Sequence, residues 1–398
     1  MFSRIASEIG WCRKTMRFRR IIPNLPDVVL RRIFDFLSYK QLCKAEAVCR
    51  RWQTIVLSMM RRNIQEMIVE PFGSATPSVH QVIAFRRLTI SCRRDALDFI
   101  AGVIRRSRLA IIRMTTDLEF LANLANVYVN KDEKRKYFSN VEELWLLVVD
   151  CNDDVTDRFL AIEDNLFSEI LSLTVQVHLR TRTYANTARV INAFVAKHPK
   201  AVFRLEIHAD KSSMIVDQLR ELPPVSLRQV KIICTEFELP AFRISSLYDV
   251  MKERGIKAKA IGFRDWTLLF DGATPISPHP LDTLRISSCI VDSVDDFIKS
   301  LKLTAQQKVP KKKKRVVRPV DGVLKPKSQN AVEDAPSKPL KKVVKRKASF
   351  VKKLEVAGQC TLRGLQFLQS KAHEELEKRL SVTIPELVVD CEEIYYCW

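Results

Sequence analysis

Glycine is scarce in this chain, with nine in 398 residues. Loops that cradle phosphates or dinucleotides require several glycines at fixed spacing, and no such pattern is present. No GxSxG, HExxH or kinase signature occurs either. The sequence therefore predicts a protein without a catalytic site and without a cofactor.

Paired cysteines and long apolar runs are also missing. None of the ten cysteines belongs to a CxxC pair, which disfavours zinc ribbons and thioredoxin-like redox centres. No apolar run reaches the roughly 18–20 residues that a membrane helix requires. No apolar run follows the first basic residues, as it would in a secretory signal. We expect reduced thiols in a protein of the nucleus and cytoplasm.

Positive charge is abundant but unevenly distributed. The net charge is +21, and 19 of those charges lie in residues 1–24 and 304–353. The remaining sequence is nearly neutral, which disfavours a folded nucleic-acid-binding domain with a basic face.

One short stretch combines helix-start signals with helical apolar spacing. In LPDVVLRRIFDFLSYKQLCKAEAVCRRW (25–52), prolines precede apolar residues that recur at three- and four-residue steps. Two further short stripes follow, so three helices are predicted. Helices this short build little core of their own. Phe34, Phe36 and Leu37 are expected to lie close together and to leave an apolar surface exposed for a partner.

This stretch resembles the F-box family. Leu25-Pro26, Ile33-Phe34, Leu37, Leu42, Val48 and Arg50-Arg51-Trp52 stand where the family pattern places them, whereas Val28 replaces a usual acidic residue. The resemblance implies docking on a Skp-family adaptor and, through it, on a cullin-based ubiquitin ligase. It also implies which side chains contact the adaptor or support the contact: Leu25, Pro26, Leu30, Ile33, Phe34, Leu37, Leu42, Val48, Cys49 and Trp52. A generic helical hairpin is the alternative.

Beyond residue 85, strand-like apolar segments alternate with helical ones. The strand centres are mostly about 26–30 residues apart, a period typical of leucine-rich-repeat-like solenoids. One segment, 281–291, matches the repeat pattern LxxLxLxxCxL throughout. The predicted strands are 87–91, 109–114, 143–149, 173–179, 203–208, 227–233, 256–263, 281–287 and 386–396. An irregular α/β layer without a true solenoid also fits.

Five cysteines follow predicted strands at similar places. In this repeat class such a residue turns the chain inward and bonds to the backbone, so we interpret these thiols as structural rather than as nucleophiles or metal ligands. They are Cys92, Cys151, Cys234, Cys289 and Cys391.

Strand alternation predicts one open polar face. Val175 and Val177 should point inward, as should Leu205 and Ile207, while the residues between them point outward. This face is the candidate substrate-binding surface: Gln176, His178, Arg180, Arg204, Glu206, His208 and Arg285. No carboxylate or cysteine stands at ligand spacing beside the histidines, so no metal is predicted.

Residues 304–353 lose the periodicity and are rich in lysine, proline and valine, a composition typical of disorder. We interpret the segment as an insertion between consecutive repeats. It contains two basic clusters that resemble nuclear localisation signals and suit an importin: Pro310, Lys311, Lys312, Lys313, Lys314, Arg315, and Lys345, Arg346, Lys347. Nucleic-acid contact and a solubilising loop remain alternatives.

The predicted fold class is α/β. A three-helix N-terminal F-box precedes an irregular leucine-rich-repeat-like strand–helix solenoid that carries a disordered basic insert. The predicted segments are a basic, disordered N-terminus (1–21), the F-box (22–62), a linker (63–84), the repeat domain (85–303), the insert (304–353) and the final repeats (354–398).

The predicted function is that of a non-catalytic substrate receptor of an SCF-type ubiquitin ligase. The partners are then a Skp-family adaptor, a cullin and an unknown protein substrate. The alternatives are a nuclear scaffold or nucleic-acid-associated protein without substrate turnover, and a repeat domain with an undetected catalytic cysteine.

Overall fold

The computed structural model describes residues 25–63, 65–69, 80–85, 88–93, 104, 108–124, 136–149, 152–179, 184–306, 351–357, 360–363, 378, 386–390 and 394–395. The chain divides into two units. The first comprises residues 1–237 and 254–256, and the second comprises residues 238–253 and 257–398.

The first unit begins with three short helices, α1 (Asp27–Phe34), α2 (Tyr39–Glu46) and α3 (Arg50–Asn63). Pro26 precedes α1, where a missing N–H costs no helical hydrogen bond. Ser38 starts α2 with a capping box, because its hydroxyl accepts from the Gln41 N–H and the Gln41 side chain accepts from the Ser38 N–H. The three predicted helices are therefore present.

A mostly parallel sheet forms the body of the first unit. Its strand order is β9-β7-β6-β5-β4-β1-β2-β3. The pairs from β1 through β4 to β9 are parallel, and β2 pairs antiparallel with both β1 and β3. The strands of this sheet are β1 (Glu66–Val69), β2 (His80–Phe85), β3 (Leu88–Arg93), β4 (Arg113–Asp117), β5 (Glu143–Val149), β6 (Ser172–Leu179), β7 (Val202–Ala209) and β9 (Gln229–Cys234). The short strand β8 (Ser226–Leu227) precedes β9 and is not part of this sheet.

The start of this sheet differs from the prediction. Strand β1 and all of β2 except its last residue lie within residues 63–84, where a linker was predicted. The predicted repeat strand at 87–91 belongs to the antiparallel hairpin β2–β3 instead. Strand β4 begins at Arg113, later than the predicted 109–114. Short apolar runs do not distinguish parallel from antiparallel pairing, which explains these errors.

A helix follows several of the parallel strands, and each of these helices has buried apolar side chains. They are α4 (Leu118–Leu124), α5 (Asp153–Leu166), α6 (Tyr184–Lys197) and α7 (Ser212–Glu221). The Asp117 carboxylate caps α4 by accepting from the Phe120 N–H at 2.6 Å, and Asn152 caps α5 by accepting from the Val155 N–H at 2.8 Å. Among the residues described, no helix is long and apolar enough to span a membrane.

The second unit repeats a long strand followed by a short one. The long strands pair in parallel in the order β18-β16-β14-β12, and the short strands form a second parallel sheet, β10-β13-β15-β17-β19. The elements are β10 (Ala241–Arg243), α8 (Ile244–Arg254), β11 (Lys257–Ala258), β12 (Ala260–Arg264), β13 (Thr267–Leu269), β14 (Leu281–Ser287), β15 (Ile290–Val291), α9 (Val294–Gln306), β16 (Val351–Ala357), β17 (Cys360–Leu362), β18 (Glu386–Asp390) and β19 (Ile394–Tyr395).

Strand β16 corrects the predicted end of the insert. It begins at Val351, within the predicted insert (304–353), and pairs directly with β14. Val351, Leu354 and Val356 are buried, so these residues belong to the folded unit. Residues 307–350, with both basic clusters, lie outside the described residues.

Candidate functional site

The three N-terminal helices share a small apolar core. Leu30, Phe34 and Leu42 are each at most 2% exposed. The ring of Phe34 meets the ring of Trp52 edge to face, with centroids 5.0 Å apart. Edge-to-face aromatic pairs stabilise a core beyond the effect of the buried area alone. These side chains hold α1 against α3.

A second set of apolar side chains on these helices is exposed. Val29, Ile33 and Phe36 follow one another at helical spacing, so they share one side of α1 and the turn after it. Phe36 is 89% exposed, and Ile33 is 44% exposed. We call the whole set the N-terminal apolar surface: Leu25, Val28, Val29, Ile33, Phe36 and Val48. Exposed apolar side chains grouped in this way are typical of a protein interaction site.

An ion pair anchors the start of this surface. The Arg51 guanidinium on α3 donates to the Asp27 carboxylate at 2.6 Å and also to the Leu25 carbonyl oxygen. The pair is exposed, so it adds little to the free energy of unfolding. Its structural consequence is to fix the segment that carries Leu25 and Pro26 against α3.

The residues that the resemblance assigned to adaptor binding fall into three groups. Leu25, Pro26, Ile33, Val48 and Cys49 are exposed, while Leu37 and Trp52 are half-buried. Leu30, Phe34 and Leu42 are buried, so they cannot contact a partner directly. They can act only as supports. Phe34 and Phe36 point to different environments, so the expected grouping of Phe34 with Phe36 and Leu37 at the surface is wrong for Phe34.

Comparison with known proteins identifies this helical region. The family model described as F-box-like matches residues 22–63. An uncharacterised F-box protein of Caenorhabditis elegans is 51% identical over 397 residues, which cover 96% of this chain and 98% of that protein. The similarity therefore extends far beyond the three helices. The chain belongs to the F-box protein family.

The parallel sheet of the first unit presents a polar face. Along β6, Val175 and Val177 are buried, while Gln176 and His178 are partly exposed, as the alternation predicts. In the parallel register, Gln176 lies beside Glu206, which lies beside Lys231. Two residues further along the strands, His178 lies beside His208. Four predicted face residues thus come together on β6 and β7.

Trp145 determines the orientation of its neighbours on this face. Its indole N–H, which can only donate, bonds to Oε1 of Gln176 at 3.0 Å. The amide nitrogen of Gln176 therefore faces Nε2 of His178, 2.8 Å away. Because that amide nitrogen donates, Nε2 of His178 must accept, so the imidazole is neutral and carries its proton on Nδ1. The network fixes both an amide orientation and a histidine tautomer.

The other part of the network, formed by His208, Glu206 and Lys231, contains charged side chains. The imidazoles of His178 and His208 stack with centroids 4.3 Å apart. His208 donates through Nε2 to Glu206 at 2.7 Å, and Lys231 donates to the other carboxylate oxygen at 3.1 Å. Burial acts to raise the pKa of Glu206, but the hydrogen bonds from His208 and Lys231 outweigh it and lower the pKa. Glu206 is thus ionised and fully engaged at neutral pH.

The three arginines predicted on the polar face differ in their contacts. Arg204 donates to the Ser172 hydroxyl at 2.7 Å and has no carboxylate within ion-pair distance in the part of the chain described. Arg285, in the second unit, lies 3.8 Å from the Glu355 carboxylate, which also pairs with Lys353. Arg180 lies outside the described residues.

The cysteines are structural in their contacts. The thiol of Cys289 donates to the Ser287 carbonyl at 3.2 Å, and the thiol of Cys360 donates to the Ala357 carbonyl at 3.3 Å. Burial raises the pKa of Cys289 to about 12, so this thiol is a poor nucleophile. In the described residues, no three His, Cys, Asp or Glu side chains are grouped so that they could hold a metal ion.

The cysteine prediction requires two changes. Cys92 lies inside the antiparallel strand β3 rather than after a repeat strand. Cys360, at the start of β17, makes the backbone hydrogen bond expected of such a cysteine, although it was not among those predicted. Cys234, the last residue of β9, is buried and accepts from the Glu236 N–H at 3.3 Å, whereas Cys151 and Cys391 lie outside the described residues.

Several residues of these surfaces were missed at the sequence level. Trp145 stands between Leu144 and Leu146 in ELWLLVV, and strict alternation with two buried leucines already predicts that it points outward. Lys231 follows from the same argument on β9. Val28 and Val29 were missed as members of the N-terminal apolar surface, because a helical stripe gives a side of the helix without saying whether a neighbour covers it. The exposure of Phe36 was expected.

Proposed function

We propose that this protein is the substrate-recognition subunit of an SCF-type ubiquitin ligase. Residues 22–63 dock on a Skp-family adaptor, which links the chain to a cullin. The observation that carries the proposal is the N-terminal apolar surface, exposed on the helices that match the F-box-like family. Apolar area removed from water contributes about 25 cal/mol per Å², so covering these side chains favours a complex.

The division of the helical residues supports this role. Ile33 and Phe36 offer apolar area to a partner, while the buried Leu30 and Phe34 keep the helices in place behind them. A few large apolar residues on a rigid support are typical of interface hot spots. The Arg51–Asp27 pair adds rigidity at the N-terminal end of the surface.

The rest of the chain is the substrate receptor in this proposal. The recurrence of a long strand followed by a short strand supports a leucine-rich-repeat-like arrangement. The polar face of β5, β6, β7 and β9 binds the substrate. The chain itself is not an enzyme, because its contribution is to hold the substrate near a ubiquitin-charged enzyme.

The basic clusters support a proposed place of action. Residues 310–315 and 345–347 have the composition that acidic grooves of an importin accommodate. We therefore place the protein in both nucleus and cytoplasm. A fluorescent fusion of the full chain, compared with one in which Lys312, Lys313, Lys345 and Arg346 are all replaced by alanine, tests this assignment, and unchanged nuclear signal would reject it.

Adaptor docking is tested by co-purification of the full chain with a Skp-family adaptor and a cullin. The double variant Ile33→Asp/Phe36→Asp should lose the adaptor, because each carboxylate would have to be buried without a partner. Leu171→Asp is the matched control, since Leu171 is a 50% exposed apolar residue immediately before β6 and outside the helices. The control should retain the adaptor. Equal recovery of adaptor with the double variant and the wild type would overturn the proposal.

A further inference from the structure

Trp145 is a large aromatic residue exposed on the polar face of the first unit. The side chain is on the polar face of β5, and the residue is 44% exposed. Its only polar atom is already bonded to Gln176. The ring is therefore held in one orientation while part of its surface remains in water. A fixed tryptophan of this kind loses little conformational entropy when a partner packs on it.

Arg204 is an uncompensated cation in the same cross-strand row. In the parallel register Trp145 pairs with Thr174, and Thr174 pairs with Arg204. The guanidinium donates to the Ser172 hydroxyl, and within the described ranges no carboxylate lies near enough to form an ion pair. The nearby Glu206 is already engaged by Lys231 and His208. Arg204 therefore retains hydrogen-bond donors and a charge that a partner can satisfy.

The spacing of these two residues sets a geometric requirement. Neighbouring strands lie about 4.8 Å apart, so Trp145 and Arg204, separated by one strand, have Cα atoms about 10 Å apart. A partner must present two side chains at a similar separation. Thr174 lies between them with a short side chain, which leaves room for the partner backbone to cross.

We infer that Trp145 and Arg204 form a two-point docking site for a protein segment with one apolar side chain and one Asp or Glu carboxylate about 10 Å apart. The apolar side chain packs on the indole, and the carboxylate accepts from the guanidinium. The inference rests on the proposed function, because it names the chemistry of the substrate that the receptor holds.

A side-chain carboxylate fits this site better than a phosphate. A phosphate carries a charge of about −1.5 to −2 and is bound well where several cations converge. Among the described residues, one guanidinium lies in the row that joins Trp145 and Arg204, since Lys231 is paired with Glu206 at 3.1 Å. Glu206 stands two residues from Arg204 on the same face of β7, and its negative charge opposes a dianion more strongly than a monoanion.

The test uses the full chain, alone and together with a Skp-family adaptor, and a set of labelled synthetic peptides. Each 12-residue peptide carries one leucine and one glutamate in a Gly/Ser/Gln background, with the spacing varied from one to seven residues. Matched peptides contain glutamine in place of glutamate. Fluorescence polarisation should detect binding at a preferred spacing, and the glutamine peptide should bind at least about tenfold more weakly.

Variants of the protein assign the two contacts. Trp145→Ala and Arg204→Gln should each weaken binding about tenfold or more, whereas Arg113→Gln, an exposed arginine of the same sheet, should change it less than twofold. Arg204→Glu should reverse the preference and select the peptide in which lysine replaces glutamate. Thermal unfolding verifies that each variant is folded.

The outcomes separate this inference from the proposed function. If the chain binds its adaptor but no peptide of the set, the docking site is wrong and the receptor role stands. Binding that is unaffected by Arg204→Gln, or that requires phosphoserine in place of glutamate, also overturns the inference. If the wild-type chain fails to bind the adaptor, the proposed function fails, whatever the peptides show.

Discussion

The N-terminal apolar surface and the polar face of the sheet expose side chains to water in opposite ways. On the helices, the exposed groups are apolar and make no hydrogen bonds with side chains: Ile33 and Phe36 are the clearest cases. On the sheet, polar side chains are hydrogen-bonded to one another in two series, Trp145 to Gln176 to His178 and His208 to Glu206 to Lys231. The first surface gains free energy when water leaves it, and the second restricts the orientation of whatever binds.

This difference fits the proposed function, in which one chain binds two partners. An apolar surface binds tightly with little discrimination by charge, which suits an adaptor shared among many receptors. A polar network with fixed donors and acceptors penalises any partner that leaves one of them unpaired, which suits the choice of a substrate. Three predictions test whether the two regions really differ in this way.

The largest expected effect separates the core of the helices from their surface. Phe34→Ala should lower the free energy of unfolding by about 3–5 kcal/mol, because Phe34 is 1% exposed and its removal leaves a cavity. Phe36→Ala, two residues away and exposed, should change it by less than about 0.5 kcal/mol. Denaturant unfolding of both variants provides the measurement.

Binding to the adaptor should also distinguish the same two variants. Phe36→Ala should remain folded and bind the adaptor more weakly, while Phe34→Ala should lose binding only through loss of the fold. Comparable destabilisation by the two substitutions would mean that the helices do not have the described core.

An intermediate effect is expected on the polar face. Glu206→Gln should lower the free energy of unfolding at pH 7 by about 1–2 kcal/mol, because Lys231 and His208 lose their charged acceptor. The pKa of Glu206 is lowered in the folded state. Its contribution is therefore complete above the ordinary glutamate pKa near 4.5 and is lost as the pH falls through the lowered value.

The difference between wild type and Glu206→Gln should accordingly be constant above about pH 5.5 and shrink in more acidic solution. Glu143→Gln, an exposed glutamate at the start of β5, is the control and should have little effect at any pH. A difference that grows on acidification would show that Glu206 does not stabilise the network as a carboxylate.

The smallest effect concerns the exposed ion pair between α1 and α3. A double-mutant cycle with Arg51→Gln and Asp27→Asn should give a coupling energy of about 0.2–1 kcal/mol, decreasing as salt is added. The pair is more than one-third exposed on both sides. A coupling well above this range would mean that the N-terminal segment is held more firmly than its exposure indicates.

Much of the sheet could be predicted from the sequence, because alternation leaves a strong signal where one face is buried. Strand β14 (Leu281–Ser287) has the predicted bounds, and β5 does as well. The outward position of Gln176 and His178 followed from the same rule. Helical segments between the strands were expected, but no bounds were predicted for α4, α5 and α7, although Asn152 and the two following aspartates form an ordinary helix start.

Pairing and contact partners could not be predicted from local patterns. Whether β3 pairs parallel or antiparallel depends on the turn before it and on distant strands, not on the apolar run itself. The same limit applies to Phe34 and Phe36. Both are aromatic and close in sequence, and only the position of Trp52 on α3 decides that Phe34 is covered.

The central claim is that the N-terminal apolar surface binds the adaptor. Isothermal titration calorimetry tests it most directly. A purified Skp-family adaptor is titrated into the full chain at about 50 mM and at about 500 mM salt. An apolar contact predicts a Kd that changes less than about threefold between the two salts and a loss of binding with Ile33→Asp/Phe36→Asp. A steep weakening with salt, together with unchanged binding by the double variant, would contradict the claim.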